Sequence, residues 1–295
     1  MVSDVAAIET RSLGKDFGDV GVLEALDLEV HEEEITLLMG PNGSGKTILL
    51  TCIAGGLQPE TGKVEVFGRS PTEAGSQLSF MLQDGMLVDQ LTGRENVAFF
   101  RDLHPRATER WREVLEALAF DTDDLDREVS EYSGGMKRKL ELAITLAADV
   151  PLYLLDEPTA ALDVTVVDAL HAVLADLHAG GRTILLSSHR PVDAGLADRI
   201  AFVRNGGIVS EGRPETLLEG VPRVLHVEGV RDGMREYVRD ERLFEAGVER
   251  RGFLRDGVGP ETVTNAVDDP TASVRVTDPS VTDLFNYYVR IAPGD

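Results

Sequence analysis

Residues Gly40-Pro41-Asn42-Gly43-Ser44-Gly45-Lys46-Thr47 fit the spacing G-x-x-x-x-G-K-[ST]. Glycines at these positions let backbone N–H groups curl around phosphate oxygens. The lysine reaches the β- and γ-phosphates, and the threonine hydroxyl helps hold Mg²⁺. A second candidate is the carboxylate pair Asp156-Glu157, which follows the apolar run Leu152-Tyr153-Leu154-Leu155. One carboxylate can serve the metal, and the other can polarise a water for in-line attack on a γ-phosphate. A third is Ser133-Gly134-Gly135-Met136, ahead of a helical pattern. A hydroxyl and glycine amides opening a helix attract phosphate, yet the same residues suit an ordinary serine cap. Together these groups could bind a nucleotide and transfer its terminal phosphoryl group to water.

Such groups need particular elements beneath them. Residues 34–39 (EITLLM) form a short apolar run, read as a buried strand entering the phosphate loop, and residues 48–53 continue it as a helix. Asp156-Glu157 then fall at the C-terminal end of another buried strand, the edge where ligands sit in open α/β sheets. Residues 5–30 and 62–68 read as strands, residues 84–150 as mostly helical, and Trp111, Val114, Leu115 and Leu118 share one helix face. A helix over 166–177 and strands over 183–186, 200–203 and 207–210 follow, the last two joined by the hairpin signal Asn205-Gly206. Beyond Gly220-Val221-Pro222 the character changes. Strands over 224–227 and 273–276 and helices over 232–244 and 281–289 make a small α+β piece with no motif tied to chemistry.

Composition limits the function classes. The chain has 295 residues, 42% hydrophobic and 27% charged, as a folded protein has. No apolar run approaches the ~18 residues of a membrane span. The N-terminal Met1-Val2-Ser3-Asp4 lacks a signal-peptide pattern, and the single Cys52 excludes an intrachain disulfide or a cysteine metal cluster, so a cytoplasmic address is expected. Acids number 52 against 29 bases, for a net charge of −23, which disfavours nucleic-acid binding. Only five bases are lysines. Acid excess with scarce lysine fits a high-salt cytoplasm, where the Debye length is roughly 3 Å at 1 M. An ordinary acidic, arginine-rich protein is the alternative.

With these motifs in place, residues 5–218 resemble the ABC ATPase family. The deciding match is Tyr132-Ser133-Gly134-Gly135-Met136 followed by Lys137-Arg138, shortly before the acid strand. Tyr132 and Met136 stand where Leu and Gln are more usual, but the Ser133-Gly134-Gly135 core is intact. The resemblance implies an α/β P-loop (RecA-like) core with an antiparallel β subdomain and an inserted helical subdomain over about 84–150. It places the ATPase domain at 1–220 and a C-terminal α+β extension at 221–295. It further implies that Ser133 to Met136 close over ATP held by a partner's phosphate loop, in a head-to-tail homodimer or heterodimer. Phe17 matches an aromatic that stacks on adenine, a core aromatic being the alternative. Gln83 matches a glutamine that touches Mg²⁺ and the attacking water. Asp163, in Ala161-Leu162-Asp163, matches a loop crossing the dimer interface, and His189 matches a histidine on the γ-phosphate. Catalysis would fall to Glu157, His189, Gln83 and Lys46, with metal contacts at Thr47, Gln83 and Asp156. The other histidines, His31, His104, His171, His178 and His226, read as surface or packing residues.

With one nucleotide unit, the expected partner is a separate membrane subunit that brings the protein to the inner face of the cell membrane. The signature and Leu91-Thr92-Gly93-Arg94-Glu95-Asn96 resemble ATPases of two-component exporters. A soluble ABC ATPase acting on nucleic acid or ribosomes is the alternative. The C-terminal extension reads as a passive cap, or as a regulatory or dimer-stabilising unit.

Overall fold

The computed structural model describes residues 6–229, 234–247, 249–266 and 273–291. Two long strands open it, β1 (Ala6–Phe17) and β2 (Val20–His31), then β3 (Ile35–Met39) and helix α1 (Lys46–Ile53). Next come β4 (Thr61–Val66), α2 (Pro71–Ala74), β5 (Leu78–Met81), α3 (Gly93–Leu103), α4 (Trp111–Ala117) and α5 (Gly134–Leu146). Then follow β6 (Leu152–Asp156), α6 (Val164–Ala179), β7 (Thr183–Ser188), β8 (Arg199–Arg204) and β9 (Gly207–Gly212). The remainder comprises α7 (Pro214–Glu219), β10 (Val224–Glu228), β11 (Phe244–Ala246), β12 (Glu249–Phe253), α8 (Pro260–Asn265), β13 (Ser273–Thr277) and α9 (Val281–Arg290).

The fold is the expected α/β arrangement. Strands β5, β6, β7, β3 and β8 lie side by side in parallel within a six-stranded sheet ordered β5-β6-β7-β3-β8-β9. Every residue of β3, β6 and β7 is buried, which is why these strands read as unbroken apolar runs rather than alternating ones. A second sheet, β2-β1-β4, is antiparallel and supplies the expected β subdomain. Its inward residues Ile8, Leu13, Leu26 and Val64 share one core with Leu49, Leu50 and Ile53 of α1 and Leu154 and Leu185 of the parallel sheet. Burying each such aliphatic side chain contributes roughly 1.5–3 kcal/mol, which fixes α1 against the sheet. Residues 84–150 carry α3, α4 and α5 linked by turns, as the helical subdomain requires. Helix α3 starts at a capping box in which the Thr92 side chain accepts from the Glu95 amide. The four-residue strand β5 has no counterpart in the sequence reading. Its run LSFM is too short to show alternation.

The chain divides into compact units at Ile208/Val209, one helix earlier than the composition change at 220/221. Helix α7 packs with the C-terminal residues, since the Tyr288 hydroxyl donates to the Leu217 carbonyl at 3.0 Å. The second unit is an antiparallel sheet ordered β11-β12-β10-β13, the strand order of a ferredoxin-like βαββαβ arrangement. The helix expected over 232–244 does not form. Residues 235–237 and 239–241 make 3₁₀ turns, β11 starts at Phe244, and Asp232 and Gly233 lie outside the described residues. Val238 is extended and bridges Leu254, and burial there outweighs a local pattern crowded with charge.

Candidate functional site

The carboxyl ends of β3, β5, β6 and β7 converge on one edge of the parallel sheet, and each delivers a candidate residue. The loop after β3 runs Gly40 to Gly45. A Cβ on Gly40 would collide with the Val203 carbonyl, and Gly45 caps α1 in the left-handed region at φ 102°. Only glycine holds both positions without strain. Lys46, 5% exposed, donates to the Gly40 carbonyl at 2.8 Å and the Pro41 carbonyl at 3.1 Å. Burial pushes its ammonium below the usual lysine value, against the opposing charges of Glu157 and Asp156. A bound anion would reverse that penalty.

A cleft of about 250 Å³ opens here, and Lys46, Thr47, Gln83 and Glu157 share its wall with Asn42, Gly43 and Gly45. The Thr47 hydroxyl donates to Gln83 Oε1 at 3.2 Å. Asp156 is fully buried. One oxygen accepts from the Ser187 hydroxyl at 2.5 Å, and Oδ2 has no hydrogen-bond partner. The Ser44 hydroxyl is likewise buried and unpartnered. Unsatisfied buried polar atoms are costly unless something else completes them. Among the described residues no group of three His, Cys, Asp or Glu side chains could hold a metal ion. The hard oxygens of Thr47, Gln83 and Asp156 instead suit Mg²⁺, which takes one or two protein ligands, substrate phosphates and water.

Glu157 sits in the left-handed region at φ 49°, and its amide is held there by donating to the Ser187 hydroxyl at 2.9 Å. His189 Nδ1 lies 3.1 Å from Glu157 Oε1, and the imidazole is 44% exposed. The loop bearing His189 is braced by Asp193, which is fully buried and accepts from Thr159 (2.9 Å) and Ser188 (2.5 Å) and pairs with His171 (2.9 Å). Burial pushes the Asp193 carboxyl up, but these three hydrogen bonds outweigh it and hold the group low. His171 is therefore a packing residue of a specific kind, and its spacing in the sequence carried no sign of Asp193.

Other expected residues lie apart. Phe17 is 49% exposed with the Lys15 ammonium 5.3 Å from its ring centroid, so it is no core aromatic, and it does not line the cleft. Ser133 caps α5, its hydroxyl accepting from the Met136 amide at 3.2 Å, while Gly134 is exposed and Gly135 and Met136 are half-buried. None of the four lines the cleft of its own chain. The Asp163 carboxylate caps α6, accepting from the Val166 amide at 3.0 Å. Sequence reasoning counted Arg138 only as following the signature and gave no role to it or to Glu141, which form a buried ion pair at 3.2 Å spaced i,i+3 on α5. A second cavity, about 210 Å³ and mostly apolar, lies between β5, α3, α4 and α5, with Phe80, Met86, Phe100 and Trp111 in its wall. Nearby Phe99 and Leu103 are 45% and 64% exposed. No helix among the described residues is long and apolar enough to cross a membrane.

A family model described as ABC transporter matches residues 23–160. The daunorubicin resistance ATP-binding protein DrrA3 of Streptomyces coeruleorubidus is 36% identical over 221 residues, covering 72% of this chain and 69% of that protein. The sulfate/thiosulfate import ATP-binding protein CysA of Bradyrhizobium diazoefficiens is 33% identical over 267 residues, covering 86% of this chain and 77% of its own length. A bacterial ABC transporter cassette solved as a dimer superposes with a TM-score of 0.65 at 25% identity, over 70% of this chain and 98% of the cassette. The chain spans only 30% of ABC transporter G family member 20 of Dictyostelium discoideum. Phosphate loop, acid pair and sheet edge agree with these likenesses: the chain belongs to the ATP-binding, ATP-hydrolysing subunits of ABC transporters.

Proposed function

We propose that the protein powers export through a separate membrane subunit, working as a dimer with two ATP molecules held between subunits. The observation that carries the dimer is the placement of Ser133 to Met136 outside the chain's own cleft, on a helix start suited to phosphate. In this reading the phosphate loop and Lys46 hold the phosphates of ATP, and Phe17 stacks on adenine. Thr47, Gln83 and Asp156 hold Mg²⁺, which when bound neutralises charge on the β- and γ-phosphates. Glu157 orients and deprotonates the attacking water, and His189, in contact with Glu157, donates towards the γ-phosphate. Asp163 meets the partner subunit. The apolar cavity flanked by exposed Phe99 and Leu103 receives the membrane subunit, which brings the protein to the inner face of the membrane. Nucleic acid is not a partner, because a net charge of −23 repels it.

The deciding experiment is a pull-down from native membranes with the Glu157→Gln protein, ATP and Mg²⁺ in high salt. A multi-span membrane protein among the captured partners supports the motor. Capture of only soluble proteins or nucleic acid overturns it. Import is the second reading, because the likeness to the sulfate import protein extends over more of the chain than the likeness to the drug-resistance protein. Co-capture of an extracytoplasmic solute-binding protein would favour import. We also infer a high-salt habitat from the acid excess. The thermal midpoint should rise as KCl is raised to molar levels, and a flat response would remove that inference.

A further inference from the structure

We propose that Arg138 and Glu141 are positioning residues that clamp the Glu157 and Gln83 segments to helix α5, so that turnover in one cleft answers to what the start of α5 touches. The inference rests on the roles proposed above for Gln83, Glu157 and Ser133.

Arg138 and Glu141 are 5% and 6% exposed, well inside the first unit. A buried guanidinium is tolerated only where its donors are matched. Arg138 Nη2 donates to the Asp156 carbonyl at 3.0 Å and the Glu157 carbonyl at 2.7 Å. These carbonyls mark where the chain leaves β6 and turns left-handed at Glu157, a conformation a non-glycine residue keeps only when its surroundings impose it. Arg138 Nη1 donates to the Leu82 carbonyl at 3.3 Å and to Glu141 Oε2 at 3.2 Å. Glu141 Oε1 in turn accepts from the Met86 amide at 3.2 Å. Between them lies Gly85 at φ 81°, where an added Cβ would stand 2.6 Å from Glu141 Oε1.

The pair thus pins both flanks of Gln83, at Leu82 and Met86, and leaves Gln83 itself exposed and bonded to Thr47. Burial raises the Glu141 carboxyl, and Arg138 opposes that rise, so each charge depends on the other. Both residues ride on α5, whose first turn is Ser133 to Met136. A rigid helix that meets a neighbouring subunit at one end and grips the acid turn and the glutamine loop along its side links two nucleotide sites without further parts. The link is mechanical and needs no contact between Arg138 and nucleotide.

The test uses the full chain with Arg138→Met and Glu141→Leu combined, which removes both charges and leaves neither unpaired. ATP affinity should stay within about threefold of wild type, and ATP-driven dimerisation should persist in the Glu157→Gln background, while kcat falls by about 10²-fold. The Hill coefficient for ATP, above unity in wild type, should fall to unity. Glu141→Gln keeps an acceptor for the Met86 amide and should lose less than about fivefold in kcat. Wild-type kcat in the double variant, or parallel loss of ATP binding and turnover, overturns the assignment. So does a wild-type Hill coefficient of unity. If the double variant fails to fold, Arg138→Lys carries the test, because one ammonium nitrogen cannot replace both Nη2, on the Asp156 and Glu157 carbonyls, and Nη1, on the Leu82 carbonyl and Glu141. Lowered kcat with intact binding supports the clamp, and unchanged kcat overturns it. A wild-type protein without ATPase activity would instead overturn the reading of the site, and the same assay shows it.

Discussion

Two charge networks, one in each unit, are finished to different degrees. In the C-terminal unit, Glu249 of β12 is shared by His226 (3.1 Å), Arg251 (2.7 Å) and Arg275 (3.0 Å), while His226 Nε2 reaches the Thr277 hydroxyl at 2.9 Å. Its nearest loose end, Asp283 Oδ1, still faces Arg251 at 3.9 Å. At the sheet edge of the first unit, Lys46 spends its donors on its own loop, and Asp156 Oδ2 and Ser44 Oγ have no hydrogen-bond partner. Charge alone does not mark a working site. Spare hydrogen-bonding capacity beside a cleft, on the same edge as the phosphate loop, is the better sign, because a buried polar atom left unpaired by the fold is costly unless something else completes it. The C-terminal network completes itself and reads as structure.

Glu157→Gln should widen that contrast most. The amide keeps the shape of the cleft but cannot take a proton from water, so hydrolysis should fall by about 10²–10⁴-fold with ATP still bound. Steady-state ATPase measurement beside equilibrium nucleotide binding checks this, and wild-type turnover would remove Glu157 from its proposed role. Lys46→Ala comes next. It deletes the one buried ammonium in the cleft wall, and ATP affinity should drop by about 10²-fold. Unchanged affinity, read by nucleotide titration, would leave the phosphate loop without its central donor.

How much of this contrast the sequence displays differs between the networks. The phosphate loop and acid pair are legible because each is a local pattern at a strand end, and a parallel sheet brings strand ends to one edge, whereas Gln83 and His189 enter only through the family resemblance, Gln83 after a strand, β5, too short to show in the sequence. The antiparallel and parallel layers are legible for the same reason, in alternating and unbroken apolar runs. Arg138 is not, since its acceptors lie on β6 and on the Gln83 loop, and no spacing rule connects them. His226 reads as surface or packing, but it stands on a central strand directly opposite Arg251 and Arg275. The absent helix over 232–244 has the same origin: Val238 gains more from bridging Leu254 than from continuing a turn.

Glu249→Ala should break the closed network without touching the open one. It leaves His226 between two arginines, and the C-terminal unit should lose about 1–2 kcal/mol, less than a fully buried pair because Arg275 is exposed. ATP affinity and turnover should not change. The Arg275 and His226 hydrogen bonds, with Arg251, hold the Glu249 carboxyl down to about 2 against the opposing effect of burial. A depressed carboxylate contributes stability that is complete above its unfolded value of about 4.3 and is lost as pH falls towards 2. Acid titration followed by near-ultraviolet dichroism should therefore show wild type losing stability in that window, with a flatter response in Glu249→Ala.

Asp163 gives the smallest effect and tests whether a group can belong to both kinds. Within its own chain it is satisfied, capping α6 through the Val166 amide. Asp163→Ala should cost about 1 kcal/mol of stability from the lost cap, while Asp163→Asn, whose side chain caps as well, should cost a few tenths. If capping were its whole contribution, Asp163→Asn would turn over ATP as wild type does. On the proposed dimer its charge also meets the partner, so turnover should fall by about threefold in both variants although only one is destabilised. Thermal melts set beside ATPase rates separate the two contributions. Wild-type turnover in Asp163→Asn would class Asp163 with Glu249, as a residue whose hydrogen bonds are already complete.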